Sequence, residues 1–118
     1  MADSALPQPS PADVFWASLD PATGREQGGH RPVLVVSTSE YLEIVTTLVI
    51  AVPITTTDRG WPNHVRVRGP EGLRRPSWAM TEQVRTISRN RLSGYAGRVD
   101  AACFADVRTW IGDFLDLG

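Results

Sequence analysis

The residues that could do chemistry on an anionic substrate fall in three short segments. In REQGGHR, Arg25, Glu26, His30 and Arg31 surround the pair Gly28-Gly29. In TTTDRGW, the hydroxyls of Thr55, Thr56 and Thr57 precede Arg59 and Trp61. In EQVR, Glu82 is followed by Gln83 and Arg85. A guanidinium offers a fixed fork of donors that matches phosphate, and a threonine hydroxyl adds one more hydrogen bond. The glycine pair reads either as a tight turn needing positive φ or as a backbone cradle for an anion. Trp61, in a Gly-Trp-Pro loop beside Arg59, suits core packing and base stacking equally. Proton transfer or support of the site would fall to Glu26, His30 or Glu82. With two histidines (His30, His64) and one cysteine (Cys103), the chain has no metal-binding cluster. It also lacks a P-loop, a dinucleotide fingerprint, an HExxH helix and a nucleophile elbow. No metal or cofactor is expected.

Charge narrows the partner. The chain has 118 residues, 12 basic groups (all arginine) and 13 acids, for a net charge of −1. The distribution is uneven: residues 1–58 sum to −5, residues 59–98 to +7 and residues 99–118 to −3. A basic middle in a neutral chain points to one positive face for nucleic acid or an acidic partner, although a solvated charged surface would look the same. No apolar run reaches the roughly 20 residues of a membrane span. The start, MADSALPQPSPAD, reads as a flexible Pro-rich leader over 1–11 with no secretory signal, ahead of a single domain over 12–118. A cytoplasmic protein with no membrane contact is expected.

The elements that must position these segments are mostly short strands. DVFWASL reads as a first strand, ended by Asp20-Pro21. The valine-rich RPVLVVST reads as a strand buried on both faces. SEYLE suggests one helical turn. IVTTLVIAVPI is a further strand, with Pro53 marking the end of regular pairing. HVRVR alternates apolar and basic residues, SWAMTEQVRTI reads as one continuous strand, SRNRLSG as a short helix and YAGRV as the last strand. Asp100 is a candidate N-cap for the one long helix, AACFADVRTWIGDFLDL, with an apolar stripe of Phe104, Val107, Ile111 and Phe114. Trp16 and Trp110 fall in apolar patterns and read as core. The sum is a strongly bent antiparallel sheet or partial barrel, small enough that dimerisation would help cover apolar surface.

In combination the segments are more specific. DVFWASLDPATGREQGGHRPVLVVS, then VPITTT, EQVRTISRNRL and GRV, resembles the MazF/PemK family of type II toxins across residues 13–117. Ala12 stands where the family often has Gly, and Ser18 where an acid is common. The resemblance implies a mainly β, single-domain, SH3-like barrel of the MazF/Kid/CcdB type with a C-terminal helix, forming a homodimer. It implies a sequence-selective, metal-independent endoribonuclease that cuts single-stranded RNA to a 2′,3′-cyclic phosphate and a 5′-hydroxyl, arresting translation and growth. A MazE-like antitoxin would hold it in check with an acidic C-terminal segment laid in the groove. The MazF branch's catalytic pair falls on Arg31 and Thr55. RNA contacts fall on Arg25, Gly28, Gly29, Thr56, Thr57, Arg59, Trp61, Gln83 and Arg85. The PemK/Kid branch's Arg-x-Asp element falls on Met80-Thr81-Glu82, and the missing arginine there leaves Glu82 a weak candidate.

Such a reaction needs no protein nucleophile. The RNA's own 2′-OH attacks the adjacent phosphorus, so the protein must align the sugar-phosphate and stabilise charge on the non-bridging oxygens. Arg31 fits that role and could also protonate the leaving 5′-oxygen. As a base it is unsuited, since its pKa of about 12 or more leaves little neutral form. Glu26, His30 and water stay open as the base. A gyrase-poisoning toxin of the CcdB type is the alternative, but such proteins act through a tryptophan at the extreme C-terminus, whereas Trp110 lies inside the helix.

Overall fold

A computed structural model describes residues 6–19 and 29–117. Among these residues, seven strands, two α-helices and one 3₁₀ turn follow one another as β1 (Asp13–Ser18), β2 (His30–Val35), α1 (Ser39–Ile44), β3 (Leu48–Thr55), β4 (His64–Arg66), β5 (Trp78–Met80), β6 (Arg85–Ser88), the turn Arg89–Arg91, β7 (Leu92–Arg98) and α2 (Ala101–Phe114). The strands form one antiparallel sheet in the order β4-β5-β3-β2-β1-β7, with β6 also on β3.

β3 organises the sheet. One edge pairs with β2; along the other, its first half pairs with β6 and its last two residues with β5. Pro53 therefore does not end the strand. It sits opposite Val33 inside β3, at the end of the β2 ladder and just before β3 takes up β5. The segment SWAMTEQVRTI is likewise two strands, because residues 81–84 turn away between β5 and β6, closed by Gln83 N–H donating to the Met80 carbonyl at 3.0 Å.

Alternation along the strands makes two cores, one on each face. Val14, Leu34, Val52, Ile54, Val65 and Ala79 meet Cys103 and Val107 of α2. Phe15, Ala17, Val33, Val35, Val49, Ala51 and Ile87 meet Leu42 of α1. Trp16 and Trp110 are partly buried against the α2-side core, as their apolar contexts suggest. The helix stripe is corrected at its end: Phe114 is 50% exposed, while Cys103 and Val107 do the burying. Asp100 caps α2, its carboxylate accepting the Cys103 N–H at 2.8 Å, a contact worth about 1 kcal/mol. Gln8 and residues 10–11 of the leader bond to the domain through Arg89, Asp13 and Arg98.

The barrel implied by the resemblance stays open, because the end strands β4 and β7 do not pair. A loop bridges them instead, with Asp100 N–H donating to Arg68 O and Gly72 N–H to Ala96 O, both at 2.9 Å. The approach is close enough that a Cβ on Gly69 (φ +117) would lie 2.5 Å from the Arg98 carbonyl oxygen. Only glycine combines that backbone with that contact.

Candidate active site on one face of the sheet

Register brings the principal candidates together. Ala17 lies opposite Arg31, and the β2–β3 ladder runs Val35–Ala51, Leu34–Val52, Val33–Pro53. Continued by two residues, that register sets Arg31 across from Thr55. The ladder stops at Val33–Pro53, short of this pair; on the other edge of β3, Thr55 pairs with Trp78, and Trp78 in turn with Arg66. Opposed residues share a face. The row Arg31, Thr55, Trp78, Arg66 thus crosses the sheet on the side away from α2, with Arg31 at the fork where β2 and β3 part.

The chemistry of the fork is cationic. Burial is the main cause, with the Arg59 charge second, pushing the Arg31 guanidinium below its ordinary range. A partly desolvated cation held near a second cation is poised for an anion, which relieves both costs. Thr55 is buried, and its Oγ1 accepts the Thr57 N–H at 3.1 Å, shaping the turn that carries exposed Thr56 and Thr57. A hydroxyl that accepts in this way retains its own hydrogen to donate. Gly60 (φ +73) donates its N–H to Asp58 Oδ1 at 2.9 Å, fixing the bend that carries Arg59 and Trp61.

Trp61 is 49% exposed and tilts onto His64, with ring centroids 4.8 Å apart. His64 is buried, and its Nε2 lies 3.0 Å from both Glu82 oxygens. Asn63 also donates to Glu82, at 2.8 Å. Burial is the largest influence on Glu82 and pushes its carboxyl up; hydrogen bonds from His64 and Asn63 outweigh it and leave the group below the ordinary range. Glu82 is therefore an anchor joining the Trp61 loop to the 81–84 turn. Gln83 follows it, and Arg85 lies opposite Ala51 on β6. His30 takes a different place: its ring stacks on Trp16 at 5.5 Å and its Nε2 meets Ser93 Oγ at 2.9 Å. Gly29 has φ +74, as a tight turn needs. Arg25, Glu26 and Gly28 lie outside the described residues.

A cleft of about 430 Å³ opens on the opposite face, lined by Trp16, Pro32, Ile54, Thr56, Leu73, Arg74 and Arg75 and reached by Arg31 as well. Nothing in the sequence points to it, since GPEGLRRP (residues 69–76) reads there only as a turn-rich loop. Trp78 was equally hidden: strand pairing alone puts it beside Thr55.

With this geometry in view, the relatives are informative. Residues 10–115 match the family of PemK-like, MazF-like toxins of type II toxin-antitoxin systems. The chain belongs to that family. It is 38% identical over 80 residues to the endoribonuclease toxin MazF of Escherichia coli K12, covering 68% of each chain. Its fold superposes on the crystal structure of MazF from Deinococcus radiodurans with TM-score 0.81 and 30% identity, over 92% of this chain and 96% of that one. It also matches a MazE-MazF crystal structure from the same organism, with TM-score 0.76, 29% identity and coverage of 94% and 98%. The family is that of ribonuclease toxins and not of the gyrase-poisoning alternative. Among the described residues no helix is long and apolar enough to cross a membrane.

Proposed function

We propose that this chain is the endoribonuclease toxin of a toxin-antitoxin pair, acting in the cytoplasm on single-stranded RNA. The observation that carries the reading is the convergence of Arg31, Thr55 and Arg59 at the fork between β2 and β3. A phosphodiester seated there meets the Arg31 fork, the Thr55 hydroxyl and the charge of Arg59. The 2′-oxygen bonds to phosphorus as its proton leaves to a base or water. The bond from phosphorus to the 5′-oxygen breaks, and that oxygen takes a proton, a role assigned to Arg31. The products are a 2′,3′-cyclic phosphate and a 5′-hydroxyl. Glu26 and His30 stay candidates for the base, His30 after release from Ser93. The remaining contacts to RNA are assigned to Arg25, Gly28, Gly29, Thr56, Thr57, Trp61, Gln83 and Arg85.

Purified protein should cut single-stranded RNA in excess EDTA and spare a strand with 2′-deoxyribose at the cut position. A strict Mg²⁺ requirement, or cleavage of the deoxy strand, would refute the intramolecular route.

The MazE-MazF structures among its relatives support a MazE-like partner for this chain too; an acidic C-terminal segment of that partner is proposed to lie in the groove. A homodimer is the proposed form. Val84, Phe114, Leu115 and Leu117 are all 40% or more exposed, and the first three line a shallow apolar groove with Ile111. Apolar surface clustered in this way marks an interaction face. Sedimentation at micromolar concentration should give twice the 12.9 kDa chain mass. Phe114→Glu should shift it toward monomer, and a wild-type monomer would refute the proposal.

A further inference from the structure

Of the four tryptophans, Trp16 and Trp110 pack against the α2-side core, whereas Trp61 and Trp78 belong to neither core. Trp61 rests on His64. Among the described residues Trp78 has no such ring partner. It is half-buried on a three-residue strand whose other members, Ala79 and Met80, are almost wholly buried. The part of the ring left accessible, outside both cores, is surface available to a ligand. Its register sets it between Thr55 and Arg66, on the face that carries Arg31. The Arg66 guanidinium lies over the ring, 5.6 Å from its centroid. At a strand spacing of about 4.8 Å, the row from Arg31 to Arg66 spans roughly 14 Å, a length that a few nucleotides cover.

We propose that Trp78 and Arg66 form a nucleotide subsite adjoining the Arg31–Thr55 pair. A nucleobase flanking the phosphate at Arg31 stacks on the Trp78 ring, and Arg66 moves from the ring face to the next phosphate or closes over the base. Stacking is tolerant of base identity, so the subsite contributes affinity and strand placement more than a strict sequence code. The position of the base beside a cleaved phosphate rests on the ribonuclease reading; its stacking on Trp78 does not.

The test uses fluorescently labelled single strands with 2′-deoxyribose throughout, so that binding is read without cleavage. Wild type, Trp78→Leu, Trp78→Phe and Arg66→Ala are titrated with an intact strand and with a series carrying one abasic residue at each position in turn. Trp78→Leu keeps the apolar bulk and removes the aromatic face. It should weaken binding about 10- to 100-fold. One abasic position should cost the wild type the same factor and cost Trp78→Leu nothing further. Trp78→Phe should restore most of the affinity, and Arg66→Ala should flatten the slope of log K against log[salt] by about 0.7. Unchanged affinity in Trp78→Leu, or a loss that no abasic position reproduces and Phe does not rescue, would overturn the subsite. Should Trp78→Leu fail to fold, the wild-type abasic series decides, and the absence of any tenfold position overturns it. Cleavage of the parent RNA is scored separately. A wild type that shows the stacking signature and cuts nothing would remove the nuclease reading and leave the subsite standing.

Discussion

Arg31→Ala is expected to lose about 100- to 1,000-fold in the rate of RNA cleavage, the usual consequence of removing one donor from a site that stabilises developing phosphate charge. That range is about 2.7–4 kcal/mol of transition-state stabilisation. Melting and circular dichroism should stay at wild-type values or improve. Burial and the Arg59 charge hold the Arg31 guanidinium below its ordinary range, so its positive form is disfavoured in the folded protein. A group with that sign is less favourable charged in the folded state than in the unfolded one, so its charge is not what holds the fold together. Activity and stability should therefore move independently. Arg31→Lys should also be slow, because an ammonium is one point charge and cannot present two donors to one phosphate. Wild-type turnover in Arg31→Ala would end the assignment.

Thr55 behaves differently. Its Oγ1 holds the Thr57 N–H, so alanine there removes a hydroxyl from the site and an acceptor from the turn. Thr55→Ser keeps both and is the informative partner, since loss in Ala with recovery in Ser ties the effect to the hydroxyl.

The contrast between Arg31 and Trp78 shows where sequence reading works here. Arg31 and Thr55 lie in compact segments whose residue types announce their chemistry, and the valine-rich runs beside them announce strands. Asp100 is equally legible, because a helix cap is a local event. Trp78 has no local signal. Its significance comes from pairing with Thr55 and Arg66, residues 23 and 12 positions away in the chain, and pairing partners at such separations leave no periodicity to read. Pro53 ends the pairing with β2 but not β3 itself, for a related reason. Proline lacks a donor, which ordinarily ends a ladder, but β3 changes partner at that point and continues. The open barrel is a third case. Whether β4 reaches β7 depends on how tightly the Gly69–Gly72 loop packs, and composition alone shows only that glycines are there.

The same distinction sharpens what the basic middle of the chain should do. Nine arginines between residues 59 and 98 form one block in sequence but not on the surface. Arg66 lies in the Thr55 row, Arg59 is close enough to Arg31 to depress it, and Arg85 lies opposite Ala51 on the same face. Arg74 and Arg75 wall the cleft on the opposite face. Each single-strand phosphate neutralised adds about −0.7 to the slope of log K against log[salt]. Removing Arg59, Arg66 and Arg85 together should thus flatten the slope by about 2, a change of about 100-fold in affinity for each tenfold change in salt. Arg74→Ala with Arg75→Ala should leave the slope for RNA unchanged. An acidic antitoxin segment that shares the groove should follow the triple variant in the same direction and compete with RNA. If the Arg74/Arg75 pair controls the RNA slope and the triple variant does not, RNA runs through the opposite cleft and the Thr55 face is not its path. If a peptide from the antitoxin tail binds while RNA is bound, without salt dependence, the two ligands occupy different faces and inhibition cannot be competitive.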